Sequence, residues 1–251
     1  MPYELLSRVR FSEVGEDRML TVPGIINYFQ DCSTFQSEEL GNGMELLESR
    51  GKAWILACWN LGILRRPGLA EQITVQTWPT GIKGFFAERN FRMLDAQGET
   101  LAYANTQWIY LDVKTGHPCR VDEDVMQLYR EEEPLPLGKI VRKIMIPEEC
   151  VEEPHFSVKY GHLDANHHVN NGQYIRMAQD YIPEGFEPCG MHVEYRNAAK
   201  LHNEIVPLVK MEQGVCTVSL CDTEKKPYAI VAFYEELPEA LQLGRQGHKN
   251  E

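Results

Sequence analysis

Val9-Arg10-Phe11-Ser12-Glu13-Val14-Gly15-Glu16-Asp17-Arg18-Met19-Leu20 and Val158-Lys159-Tyr160-Gly161-His162-Leu163-Asp164-Ala165-Asn166-His167-His168-Val169 lie over one another without a gap, and the correspondence continues to Asp31 and Asp180. Val9 meets Val158, Phe11 meets Tyr160, Val14 meets Leu163, Ile26 meets Ile175, and Gln30-Asp31 meets Gln179-Asp180. Each copy reads as a short strand, a polar turn and a helix of roughly four turns. In the second copy Tyr174, Ala178, Tyr181 and Ile182 share one helical face, Asn170 or Asn171 suits the N-cap, and Pro183 ends the run. Likeness returns further along: Leu69–Val75 matches Leu201–Pro207, and Asp95–Ala104 matches Asp222–Val231.

Between these anchors the pattern is that of strands. Phe86, Glu88, Asn90 and Arg92 alternate with Phe85, Ala87, Arg89 and Phe91, and β-rich runs cover 54–64, 71–78 and 101–113. Asp95-Ala96-Gln97-Gly98 and Glu224-Lys225-Lys226 read as hairpin connections. One early helix followed by about four antiparallel strands, twice over, predicts an α+β chain in which a sheet wraps around a helix in each half. The Glu- and Pro-rich stretch Glu131-Glu132-Glu133-Pro134-Leu135-Pro136 begins the link, so the expected division is 1–130, a linker at 131–153, 154–238, and a tail at 239–251.

With 251 residues and 43% hydrophobic content, the chain has enough apolar material for one large core or two small ones. The start, Met1-Pro2-Tyr3-Glu4-Leu5-Leu6, lacks a basic region followed by a long apolar run, and no stretch approaches the ~18 apolar residues of a membrane span. A cytoplasmic location without stable membrane insertion is the expectation. The seven cysteines, at 32, 58, 119, 150, 189, 216 and 221, are scattered and odd in number, which suits reduced thiols. A net charge of −12 gives no footprint for nucleic acid. The densest basic runs, Lys139-Ile140-Val141-Arg142-Lys143 and Arg65-Arg66, read first as solvated surface charge.

Chemistry is concentrated in Asp164, Asn166 and His168, a carboxylate, a carboxamide and an imidazole at alternate positions just ahead of a helix. The positive end of a helix dipole favours a developing oxyanion and disfavours an imidazolium, so His168 is expected to be neutral and basic. Two other readings compete: a polar turn bonded to its own backbone, and a metal site drawn from His162, His167, His168 and Asp164, whose spacing matches no common zinc motif. The first half carries Gly15, Asp17 and Met19 at the matching positions, so the trio occurs once. That is the pattern expected when one copy catalyses and the other serves another purpose.

Asp164-Ala165-Asn166-His167-His168-Val169-Asn170-Asn171, followed by Tyr174, resembles the Asp-x-Asn-x-His-Val-Asn-Asn signature of the acyl-ACP thioesterases, a family of tandem hot-dog domains. Glu13-Val14-Gly15-Glu16-Asp17-Arg18, the helix with Asn27 and Gln30, Trp54, Arg66-Pro67 and Glu194-Tyr195-Arg196 resemble further parts of the family. The resemblance covers nearly the whole chain. It implies two hot-dog domains, hydrolysis of fatty acyl-ACP at Asp164, Asn166 and His168, an acyl carrier protein as partner, and no cofactor or metal. Plant members carry an acidic residue and a cysteine where this chain has Ala198 and Ala199, so a cysteine nucleophile there is excluded.

The residues themselves fit hydrolysis without a covalent step, since no serine lies in a Gly-x-Ser-x-Gly elbow and no cysteine lies in the trio. His168 or Asp164 would activate water, the other supporting it, with Asn166 orienting water or carbonyl and helix-start amides holding the oxyanion. The first half would bind the acyl chain, with Ile25, Ile26, Phe29 and Trp59 as candidate lining. An acyl-CoA thioesterase and a non-catalytic acyl-binding protein are the rival functions. Two halves in one chain are compatible with a monomer or a homodimer.

Overall fold

The structure is a computed structural model that describes residues 1–138 and 142–244. Lys139–Val141 of the basic run and the end of the expected tail lie outside the described residues. The first half contains β1 (Tyr3–Arg8), α1 (Val22–Glu39), α2 (Met44–Ser49), β2 (Lys52–Ile63), β3 (Gln72–Lys83), β4 (Phe86–Leu94), β5 (Thr100–Asp112), β6 (His117–Pro118) and α3 (Glu123–Leu128). The second contains β7 (Val151–Glu152), β8 (Phe156–Ser157), α4 (Asn171–Gln179), β9 (Gly190–Tyr195), β10 (Glu204–Glu212), β11 (Val215–Cys221) and β12 (Pro227–Tyr234).

The expected repeat is visible in the strand order, β1-β3-β4-β5-β2-β9-β12-β11-β10-β7. Each half has the same antiparallel order, and the two are joined edge to edge where β2 pairs with β9, Asn60 opposite His192. Turn chemistry repeats too. Asp95 Oδ1 accepts from the amides of Gln97 and Glu99, and Asp222 Oδ1 accepts from those of Glu224 and Lys226, each at 2.8–2.9 Å. Gly98 and Lys225 occupy the same left-handed position in the two hairpins, at φ +84° and +61°.

Each half lays a helix on the inner face of its sheet. α1 begins at Thr21, whose side chain accepts from Gly24 N, and buries Ile25, Ile26 and Phe29 completely. Phe29 stacks on Trp59 and Phe91 with ring centroids 6.1 and 5.2 Å away, and Trp59 lies 5.1 Å from Phe91. Burying such a side chain contributes about 1.5–3 kcal/mol. α4 is shorter than the sequence predicts, ending at Gln179 after nine residues. Pro183 disfavours helical backbone at Ile182, so Tyr181 and Ile182 close turns on the carbonyls of Ala178 and Gln179 and still pack on the core.

Residues 131–138 and 142–153 lie against the outer face of the sheet. Leu135 N donates to Asn90 Oδ1 at 2.8 Å, Ile144 N donates to Glu194 Oε2 at 2.8 Å, and Ile146 and Cys150 pack on Val206, Leu208 and Cys221. β7 lies inside this segment and pairs with β10, so the second sheet begins ahead of residue 154. The tail also packs back, with Tyr103 Oη donating to the Leu241 carbonyl at 2.6 Å. Arg65 pairs with Glu71 and Asp95, Arg66 with Asp17, and Arg142 lies 4.9 Å over the Phe86 ring. No helix among the described residues is long and apolar enough to cross a membrane.

A row of buried polar side chains, Asn90, Asn105, Asn60 and His192, lies in register across the four central strands. His192 is 7% exposed, its Nε2 has no partner among the described residues, and burial pushes its imidazole down to about 4. The folded protein thus refuses a proton that the unfolded chain accepts near pH 6.5, so stability is full above that pH and falls as the pH drops towards 4. The expected loss is of order 3 kcal/mol. Denaturant unfolding of wild type and His192→Asn across this range should show a shallower acid loss in the variant; identical slopes would contradict the assignment.

Candidate active site

A bridge between Leu163 and Val169 closes a small hairpin around the sequence-predicted trio. Asp164 N donates to the His168 carbonyl at 2.9 Å, and His167 N donates to the Asp164 carbonyl at 3.1 Å. His167 takes the left-handed turn position, φ +60°. Asp164 and His168 therefore oppose one another across the hairpin, with Asn166 at its tip. Opposed residues of an antiparallel pair project to one face with Cβ atoms about 4.5–5.5 Å apart, which puts carboxylate and imidazole on the same side of the hairpin. Val169 is buried and Leu163 packs on the core, while Asp164 and His168 are half-buried and Asn166 is exposed.

The hairpin is held from three sides. Val169 N donates to the Ala199 carbonyl and Asn170 N to the His162 carbonyl, each at 2.9 Å. Asn170 is the N-cap of α4, its Oδ1 accepting from Gly172 N at 2.8 Å and its carbonyl from Gln173 N at 2.9 Å. Asn171 N–H, in the first turn, has no acceptor among the described residues. Tyr174 Oη accepts from Ala199 N at 2.8 Å, and Tyr195 Oη donates to the Asn171 carbonyl at 3.0 Å. Burial pushes the Tyr174 phenol up to about 12 and raises that of Tyr195 well above its ordinary value, so both remain neutral supports. His162 is lowered by burial and by Lys159, and its Nδ1 accepts from Lys159 N at 3.1 Å.

The first half contains the same backbone turn with different side chains. Val14 bridges Leu20, Gly15 N donates to the Met19 carbonyl at 3.0 Å, Arg18 N donates to the Gly15 carbonyl at 3.0 Å, and Arg18 has φ +61°. Leu20 N reaches the Pro67 carbonyl as Val169 N reaches that of Ala199, and Thr21 N reaches Glu13 as Asn170 N reaches His162. The turn itself was kept in both copies; only its decoration differs. Asp164 Oδ1 does accept from Asn166 N at 2.8 Å, but Gly15 closes the equivalent turn with no side chain. The backbone turn itself thus forms without a carboxylate or an imidazole at these two positions.

Of the Glu194-Tyr195-Arg196 motif, only Tyr195 faces α4, its ring 6.0 Å from that of Tyr174. Glu194 and Arg196 bond to Ile144 on the outer face. Ala198 is exposed and Ala199 fully buried, and the latter acts through its backbone. Tyr174, read from sequence as part of an apolar face and as the residue that follows the signature, is a bracket of the site, and it stands where the first half has Ile25. Among the described residues no three His, Cys, Asp or Glu side chains converge on a metal site. Ile25, Ile26, Phe29 and Trp59 form closed core, and a groove of about 760 Å³ opens instead on the outer face beside Phe86, Glu88, Gln107 and Arg142.

Residues 3–129 match the family model of the acyl-ACP thioesterase N-terminal domain, and residues 147–226 that of the C-terminal domain. The chain is 22% identical over 220 residues to a chloroplastic acyl-[acyl-carrier-protein] hydrolase of Cuphea viscosissima, covering 81% of this chain and 53% of that protein. It is 24% identical over 193 residues to the chloroplastic oleoyl-acyl carrier protein thioesterase 1 of Arabidopsis thaliana, covering 70% and 53%. The chain thus spans about half the length of the curated relatives it matches. An acyl-ACP thioesterase structure from Bacteroides thetaiotaomicron superposes with a TM-score of 0.83 at 21% identity, over 92% of this chain and 96% of that one. The 12:0-ACP thioesterase of Umbellularia californica gives 0.82 at 17%, over 93% and 96%. These likenesses establish the shared fold. With one family model over each half of a doubled sheet-and-helix unit, the chain belongs to the acyl-ACP thioesterase family and has its tandem hot-dog architecture.

Proposed function

We propose that this protein hydrolyses the thioester of fatty acyl-ACP to free fatty acid and holo-ACP, ending chain elongation, with Asp164, Asn166 and His168 as its catalytic residues. The observation that carries this reading is the turn built twice and given a carboxylate, a carboxamide and an imidazole only once. Asp164 and His168 share a face, so one takes the proton of the attacking water while the other orients and supports it. Asn166 at the tip orients water or carbonyl, and Asn171 N–H at the start of α4 is placed to donate to the tetrahedral oxyanion. Collapse of that intermediate breaks the C–S bond, and the thiolate takes the proton. Burial pushes the Cys32 thiol up to about 12 and those of Cys58, Cys216 and Cys221 to about 11, which favours direct attack by water over a thiolate nucleophile.

The proposed division follows from this chemistry: 1–130 binds the acyl chain, 131–153 links, 154–238 catalyses, and 239–251 is a tail. Pairing of β2 with β9 supplies within one chain the contact that separate halves would make by dimerising, so a monomer already holds a complete site and a homodimer is not required. Seven free cysteines suit a reducing compartment such as the cytoplasm. The acyl chain would run towards Phe29, Trp59 and Phe91, whose matching positions in the second half are the smaller Ala178, Met191 and Val218. That aromatic stack would set the depth of the chain.

Free-thiol release from acyl-ACP and acyl-CoA of graded chain length tests the activity. His168→Ala and Asp164→Gly should each lower turnover on acyl-ACP by about 10²- to 10⁴-fold while Asp164→Gly keeps the wild-type melting temperature, because Gly15 supports the same turn. Full turnover in both variants would exclude the trio, and faster cleavage of acyl-CoA would exclude the carrier preference. Phe29→Ala and Trp59→Ala should shift preference towards longer chains. An unchanged chain-length profile in both removes the stack as the depth stop.

A further inference from the structure

We infer that Asn27, contributed by the half without the trio and held by Glu13, is a positioning residue that sets the start of α4 against the substrate. The inference rests on the reading of the trio given above, and deepens it by making the site a joint product of both halves. α1 and α4 pack against one another, and α1 side chains reach Gly172, the second residue of α4. A Cβ at Gly172 would lie 3.0 Å from Asn27 Oδ1 and 3.3 Å from Gln30 Nε2. Glycine here lets these two carboxamides of α1 rest on the first turn of α4, directly after the residues that carry the chemistry; a side chain would push them back by a few tenths of an ångström.

The orientation of the Asn27 carboxamide is dictated by its other neighbour. Nδ2 donates to Glu13 Oε2 at 3.1 Å, and a carboxylate has nothing to donate in return, so the amide nitrogen must face Glu13 and the carbonyl oxygen must face α4. Glu13 is itself anchored. Its side chain is nearly buried, Arg10 approaches its second oxygen at 3.4 Å, and its main-chain carbonyl accepts from both Thr21 N and Thr21 Oγ1 at the cap of α1. The result is a chain of contacts from the first-half turn through Glu13 and Asn27 to the positive end of α4. An oxygen fixed there complements the helix start and holds the Asn170–Asn171 segment in place.

The bridge runs in one direction only. Under the repeat, Glu13 corresponds to His162, Asn27 to Arg176 and Gly172 to Pro23, so the second half has neither the carboxylate, nor the carboxamide, nor the glycine with which to make the reciprocal contact on α1. A contact that served only to glue two similar helices together would have no reason to be aimed solely at the helix that follows the trio. Asn27 and Glu13 do not touch the reacting atoms in this scheme. They fix where the helix-start amide and His168 stand relative to the thioester.

Steady-state kinetics on acyl-ACP with Glu13→Gln, Asn27→Ala, Asn27→Asp and the combined Glu13→Gln/Asn27→Asp protein tests this, beside amide hydrogen exchange of residues 170–174. Asn27→Ala and Asn27→Asp should lower kcat by about tenfold or more with KM changed less than about threefold, and exchange at the start of α4 should speed up. In the combined variant the carboxamide introduced at position 13 can donate to the carboxylate introduced at position 27, restoring the bridge with an oxygen towards α4, and kcat should return to within about threefold of wild type. A folded combined variant that is not rescued, or an Asn27→Ala protein with wild-type kcat and exchange, overturns the inference while leaving a His168-dependent activity intact. If wild type itself fails to cleave acyl-ACP, the functional reading falls, and the exchange data still decide whether Asn27 positions α4.

Discussion

Everything in this molecule depends on the antiparallel pairing of β2 with β9. Those two strands are the inner edges of two similar sheets, and joining them gives one continuous sheet with Asn60 opposite His192 at the centre. Edge strands left open would present rows of unpaired amides and carbonyls. Pairing them satisfies those groups and sets α1 and α4 side by side on the inner face, where residues of one half reach the first turn of the other. The outer face is covered in part by the linking residues on either side of 139–141, Leu135 bonding to Asn90 and Ile144 to Glu194.

Within this frame the two halves have diverged in side chains and hardly at all in local backbone. Both turns ahead of the long helices use the same bridge, the same left-handed residue and the same pair of anchoring carbonyls. One turn carries Gly15 and Met19, the other Asp164 and His168. The interiors differ in a complementary way: the first half is filled by the Phe29, Trp59 and Phe91 stack, and the second encloses a shorter helix braced by Tyr174 and Tyr195.

The architecture and the trio were legible because both are local. The repeat, the hairpin signals at Asp95 and Asp222, and the spacing of Asp164, Asn166 and His168 each occupy a few consecutive residues, where turn chemistry and periodicity act directly. The sequence places the end of α4 too late because apolar spacing continues through Tyr181 and Ile182, and the restraint of Pro183 acts upstream of the proline. The role of Ala199 had no side-chain signal at all, since it works through its amide and carbonyl.

The sequence by itself determined the doubled sheet-and-helix plan, the single occurrence of the Asp164, Asn166 and His168 trio and the presence of alanine rather than cysteine at position 199, because these are properties of residue order and identity. Only the tertiary structure decided that Asp164 and His168 oppose one another across a hairpin, that the first-half turn has the same backbone without their side chains, that four proposed lining residues are closed core, and that Asn27 of one half abuts Gly172 of the other. These are distances between residues far apart in the chain. They are set by strand register and helix packing, which depend on the whole core at once and leave no mark on any short stretch.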